Sequence, residues 1–267
     1  MSGERYSRQT FLGKDAQRTL EATLVGVVGL GGGGSHIVQQ LAHIGFKHYA
    51  LFDGDTVDES NLNRLVGATL EDVANETPKI EVAQRTIRGL HPDAEILAHR
   101  SRWQEAVSSL RLCHIVFGCV DSYQAREELE RFTRRHLIPY IDIGMDVVMG
   151  GDDKPGMGGQ VILSVPGYAC MRCMGFLTDE RLQREAEKYG AAGARPQVVW
   201  PNGILASTAV GIGVDLLTDW TENVRGAVYI VYDGNRGTLK HRTVTNADGA
   251  CPHFKSDQVG DPVFREI

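Results

Sequence analysis

The chain has 267 residues, 42% of them hydrophobic and 23% charged, with a formal net charge of −6. That length allows one large α/β domain or two small ones around a substantial core. The acidic balance argues against non-specific binding to nucleic acid or an anionic membrane, while leaving room for a local basic site.

The N-terminus, MSGERYSRQT, has no apolar core of a signal peptide, so a cytoplasmic location is expected. A short basic segment, RYSRQTFLG, precedes a predicted helix through KDAQRTLEA. The stretch GVVGLGGGGSHIVQQLAHIGF then reads as a strand at 24–28, a tight turn with Gly29, Gly31, Gly32 and Gly34, and a helix over 35–45. Next come a strand ending in acids (HYALFDGD), a loop-like segment at 61–79, and a helix from 80 with Ile80, Ala83, Ile87 and Leu90 on one face. A strand at AEILAHR, a strand at CHIVFGCV, a helix over 122–136 and a strand at IPYIDIG continue the alternation. From about residue 150 the texture changes, to Gly-rich GGDDKPGMGGQ, the strand VILSV, a CMRC loop, a charged helix near 178–189 and an apolar helix at 203–217. That last run is shorter than a membrane span and carries Asp215, so it reads as a buried or interfacial helix, and no membrane partner is expected.

Repeated strand–helix alternation predicts an α/β fold: a Rossmann-like, largely parallel sheet with helices on both faces and ligands at the carboxyl ends of the strands. No linker or repeat divides the chain, so one domain over 1–267 is expected, with a nucleotide-binding half (1–150) and a substrate-handling half (151–267). Five cysteines without a secretory signal argue against a disulfide framework. Cys113 and Cys119 read as small hydrophobes of a buried strand.

A glycine turn leading into a helix offers N–H groups and partial positive charge to an anion, and serves a dinucleotide or a triphosphate alike. Its plainer use is strand-to-helix packing. Asp53, at the end of the second strand, is placed to accept from ribose hydroxyls, and otherwise is a turn acid. SNLNR (60–64) and Lys79 add two cations and polar amides beyond it, as a triphosphate needs, unless Arg64 and Lys79 are merely solvated. Asp121, ending the CHIVFGCV run, can hold Mg²⁺ with the phosphates or cap the following helix. Together these favour ATP over NAD.

In this order, RYSRQ, GLGGGGS, FDGDTVDESNLNR, ETPKIEVA, GCVDSYQAR and ACMRC resemble the E1-like (ThiF/MoeB/HesA) adenylyltransferases that activate ubiquitin-like and sulfur-carrier proteins. The resemblance implies that Asp53 binds the ATP ribose, that Asn61, Arg64 and Lys79 contact the phosphates, and that Asp121 holds Mg²⁺. It implies further that Arg8 reaches the nucleotide of a neighbouring subunit, making the protein a homodimer. The reaction implied is adenylation of a carrier protein's C-terminal carboxylate. Relatives with the CMRC element complete a structural Zn²⁺ site with a second cysteine pair; here Cys170, Cys173 and Cys251 match, Phe254 replaces the fourth cysteine, and His253 is the expected substitute. A redox CxxC would call for a thioredoxin-like context, which is absent. Many relatives also carry a thioester-forming cysteine ahead of the last core helix. Residues 191–207 contain none, so the acyl group is expected to pass to an external acceptor, such as a conjugating enzyme or sulfur donor. Arg195, Trp200 and Asn202 are candidates to shape a groove for an extended peptide tail. The rival readings are action on a peptide or a modified tRNA, a non-catalytic module that binds a ubiquitin-like protein, and an NAD-dependent oxidoreductase.

Overall fold

The strands are β1 (Leu24–Val28), β2 (His48–Phe52), β3 (Glu95–His99), β4 (Ile115–Gly118), β5 (Tyr140–Met149), β6 (Pro155–Ser164), β7 (Val228–Asp233) and β8 (Thr238–His241). They form one eight-stranded sheet of order β3-β2-β1-β4-β5-β6-β7-β8 in a computed structural model that describes residues 2–149, 155–187, 196–222, 226–244, 251–254 and 260. β3, β2, β1, β4 and β5 pair in parallel; β5 to β8 pair antiparallel.

The helices are α1 (Ser2–Arg5), α2 (Ala16–Ala22), α3 (Gly32–Ile44), α4 (Leu70–Ala74), α5 (Lys79–Leu90), α6 (Val107–Leu110), α7 (Tyr123–Arg135), α8 (Asp179–Glu187) and α9 (Val199–Thr218). Because successive strand side chains point to opposite faces, each central strand feeds two cores. Val25, Val27, Tyr49, Leu51, Ile115 and Phe117 pack on one face with Ile37 and Leu41 of α3, Ile87 of α5 and Leu205 of α9. Ala50, Phe52 and Val116 pack on the other with Leu110 of α6, Leu129 of α7 and Met171 of the CMRC loop. Burial on both faces is why these strands read as unbroken apolar runs. Among the described residues no helix is long and apolar enough to cross a membrane; α9 is buried against α3 and strands β5 and β6.

Three expectations needed correction, and one element was unforeseen. α9 starts at Val199, before the expected 203, because Pro201 sits in its first turn, where a missing N–H costs no helical bond. The 61–79 segment is not all loop: Thr69 and Asp72 form a reciprocal capping box that starts α4. β6 begins at Pro155, so GMGGQ is strand, held in register by a ten-residue antiparallel pairing with β5. The hairpin β7–β8 was not anticipated, although VYIVYD followed by Gly234 and Asn235 carries the pattern of one.

Candidate active site

β1 ends in a turn that glycine alone permits. Gly29 has φ +88°, and a Cβ there would lie 2.5 Å from the Cys119 carbonyl oxygen; one at Gly34 would lie 1.9 Å from the Gly29 oxygen. α3 therefore starts at Gly32, three residues earlier than its apolar spacing indicates, and its first N–H groups face the carboxyl ends of the strands. Gly29, Gly31 and Gly32 line a cleft of 540 Å³ at that edge, whereas Gly34 serves the packing of the turn.

Asp53, Arg64, Lys79 and Asp121 line the same cleft. Asp53 leaves β2 with Oδ2 accepting from the Leu30 N–H (2.6 Å) and Oδ1 from the Asp55 N–H (2.9 Å). Burial pushes its carboxyl up, against those two donors and the charge of Lys79. Lys79 opens α5, and its Nζ lies 2.7 Å from Asp55 Oδ2. Arg64 Nη1 donates to the Ser60 carbonyl (2.6 Å) and Asn63 Oδ1 (3.0 Å), which holds the guanidinium at the rim. Asp121 Oδ1 accepts from Gln197 Nε2 at 3.4 Å. Two expected residues lie elsewhere. Asn61 does not line the cleft; its Oδ1 accepts from the Asp58 N–H in a capping box. Arg8 is exposed on the 3-10 turn Ser7–Leu12, outside this chain's own cleft.

The far wall holds residues that sequence reading passed over. Arg126 Nε donates to both oxygens of Asp142 (2.9 and 3.1 Å), and Asp142 also accepts from Tyr140 Oη (3.0 Å) and Gln160 Nε2 (3.2 Å). Arg126 and Gln160 line the cleft. The available signal was an acid inside the apolar strand IPYIDIG, since a buried charge requires a partner. Cys119 also corrects an expectation, being half-buried and part of the cleft lining, with its thiol pushed up by burial. Asn202 reaches the cleft, Trp200 is exposed and outside it, and Arg195 lies outside the described residues.

Cys170, Cys173, Cys251 and His253 offer ligand atoms that all lie within 4.8 Å of one another. Tetrahedral zinc with ordinary bond lengths would set S···S edges of about 3.8 Å and S···N edges of about 3.6 Å. The observed edges are 3.6 Å for Cys170–Cys173 and Cys173–Cys251, and 3.4 and 3.3 Å from His253 Nδ1 to Cys170 and Cys173. The cluster can therefore hold zinc, with His253 in the place of the fourth cysteine. Phe254 instead stacks on Arg134, whose Cζ is 5.0 Å from the ring centroid. Arg134 is itself buried, pairing with Glu130 (3.5 Å) and donating to the carbonyls of Val165, Tyr168 and Ala169. Glu130 accepts from the Met171 N–H at 2.9 Å, so α7 fixes the CMRC loop from beneath.

The ThiF family matches residues 6–253. The chain is 27% identical over 255 residues to the sulfur carrier protein ThiS adenylyltransferase of Escherichia coli, covering 93% of each chain. It is 30% identical over 235 residues to the molybdopterin-synthase adenylyltransferase of Salmonella typhimurium, covering 86% of this chain and 87% of that one. Among solved structures, E. coli MccB with ATP superposes with a TM-score of 0.71 at 18% identity, covering 93% of this chain and 73% of that chain, a likeness of fold.

Proposed function

The chain belongs to the ThiF family, and on that premise we propose that it adenylates the C-terminal carboxylate of a ubiquitin-like or sulfur-carrier protein, using ATP. The observation that carries this reading is the convergence of Asp53, Arg64, Lys79 and Asp121 on one cleft with the glycine turn. A protein's α-carboxyl has an unperturbed pKa of about 3.3–3.7, so at neutral pH it is already a nucleophile and needs no general base. It attacks the α-phosphorus; the acyl–phosphate bond forms and pyrophosphate leaves. The protein's task is alignment and neutralisation of the phosphate charge, for which Arg64, Lys79 and the N-terminus of α3 are placed. Asp53 orients the ribose. Asp121 is the residue that would hold Mg²⁺, which would supply further positive charge to the phosphates. The acyl group then passes to an external acceptor. In support, Cys113 is buried, with its thiol pushed up to about 12 by burial; Cys119, on the cleft wall, has its thiol pushed up by burial as well; and Cys170, Cys173 and Cys251 belong to the metal cluster.

The test is Mg²⁺-dependent exchange of pyrophosphate into ATP, run against a panel of carrier proteins ending in Gly-Gly. Asp121→Ala is expected to lower exchange by about 10²–10³-fold while leaving the thermal unfolding midpoint unchanged, because it removes charge and no core volume. Exchange at the wild-type rate would remove Asp121 from the ion site, and a wild-type protein that binds NAD but not ATP would remove the whole reading.

For the Cys/His cluster we propose structural zinc. Metal analysis of the purified protein is expected to find about one zinc per chain, and His253→Ala is expected to lower the affinity about 10–100-fold in a chelator competition. Unchanged zinc retention in that variant would exclude His253 as a ligand.

A further inference from the structure

We infer that Arg126 and Gln160 form a two-donor cradle over Gly144 that holds one oxygen of the incoming carboxylate, the oxygen that becomes the acyl carbonyl. This rests on the reading of the cleft as an adenylation site and deepens it. Topology divides the cleft. In the strand order β3-β2-β1-β4-β5-β6, Asp53 follows β2, Arg64 and Lys79 lie on the chain between β2 and β3, and the glycine turn follows β1. Ribose and phosphates are thus provided for on one side, and the wall beyond β4 is left for the group that attacks them. That wall holds Arg126 of α7, Gly144 of β5 and Gln160 of β6.

The cradle follows from strand pairing and from a count of hydrogens. Gly144 stands opposite Gln160 in the β5–β6 register, so both face one side of the sheet, and Asp142, two residues earlier, shares that side. Asp142 accepts from Arg126 Nε and from Gln160 Nε2 and so draws both side chains together above the glycine. Arg126 Nη2 and Gln160 Nε2 each lie within 2.5 Å of the point that a Cβ at Gly144 would occupy. Each nitrogen carries two hydrogens and spends one, Nη2 on the Ile143 carbonyl (3.3 Å) and Nε2 on Asp142 Oδ2 (3.2 Å). The second N–H of each meets no acceptor among the described residues, although Arg126 is buried. A buried donor calls for a partner, and here the partner is an oxygen that arrives with the substrate. Because Asp142 cancels the guanidinium charge, the cradle offers hydrogen bonds without the net charge that would draw a triphosphate away from Arg64 and Lys79. Of the two carboxylate oxygens, one attacks phosphorus and the other becomes the carbonyl, so fixing the second aims the first. Asp142 is the positioning residue of the set.

Calorimetric titration of the full chain with 5′-O-sulfamoyladenosine and with its N-glycylglycyl derivative tests this, because the derivative carries the acyl carbonyl of an adenylate and the parent does not. The wild-type protein is expected to bind the derivative about tenfold more tightly. Gln160→Met, which keeps the chain length without the donor, is expected to cut that ratio to about threefold or less. Gly144→Ala, whose Cβ displaces both donors, is expected to cut it to about twofold or less. If Gly144→Ala fails to fold, Gln160→Met decides. Equal wild-type affinity for the two ligands, or a Gln160→Met protein that keeps the wild-type ratio, would overturn the cradle while the nucleotide site stands. Binding of neither ligand would overturn the nucleotide reading, and this inference with it.

Discussion

Mixing Arg8→Ala protein with Asp121→Ala protein, each nearly inactive alone, is expected to restore about one quarter of wild-type pyrophosphate exchange. We propose a two-fold dimer whose sites borrow a residue across the interface, and the figure follows from it: at equal mixing about half the dimers would be mixed, and each would have one site of two with both residues intact. The motive is positional. Arg8 is exposed on the 3-10 turn Ser7–Leu12 and lies outside the cleft of its own chain, so any contact with nucleotide has to be made to another copy. Subunit exchange is followed by native mass spectrometry of isotope-labelled protein. Exchange without recovery of activity would show that Arg8 does not act in trans.

Asp142→Ala is expected to cost about 3–5 kcal/mol, because it leaves the Arg126 guanidinium buried with no carboxylate to answer it. The side chains of Arg126 and Asp142 are 8% and 0% exposed, so water cannot replace the lost partner without opening the sheet edge. Urea denaturation should show the drop as a lower midpoint at constant slope, with the thermal midpoint down by about 10 °C. In a double-mutant cycle with Arg126→Met, the second substitution should cost far less in the Asp142→Ala background than alone. Additive losses would mean that the pair contributes only packing. Since Arg126 also lines the cleft, the same variant should weaken nucleotide binding, an effect separable from stability by titration below the unfolding range.

The parallel half of the fold was legible because its strands are covered on both faces and its helices carry periodic apolar residues; β1, β2 and α5 fall within a few residues of their sequence limits. The antiparallel half was harder. Gly156, Gly158 and Gly159 look like a loop until β5 is seen to pair with them, and only tertiary pairing could override that local preference. On the cleft wall, Asp53, Lys79 and Asp121 were readable because each lies just beyond an apolar run or opens a helix, positions that face ligands in a wound sheet, and Arg64 because it ends the polar SNLNR stretch that follows the second strand. An asparagine near phosphates and an asparagine closing a capping box look alike in sequence; Asn61 closes a capping box with Asp58, three residues before it, and that pairing was the sign sequence reading passed over. Arg126 and Gln160 stayed invisible because their place on the wall depends on the crossing of α7 over β5 and β6.

The spacing of the Cys/His cluster has a topological result. Cys173 and Cys251 are 78 positions apart, and between them the chain makes α8, α9, β7 and β8. An ion bound there fastens both ends of this excursion and acts as a crosslink, shrinking the conformations open to the unfolded chain. On the scale of a disulfide closing a loop of that size, the restriction is worth about 4.5 kcal/mol. Stripping the metal should then free the last strands to detach from the sheet edge before the parallel half melts, turning one cooperative transition into two and exposing β7 and β8 to proteases first.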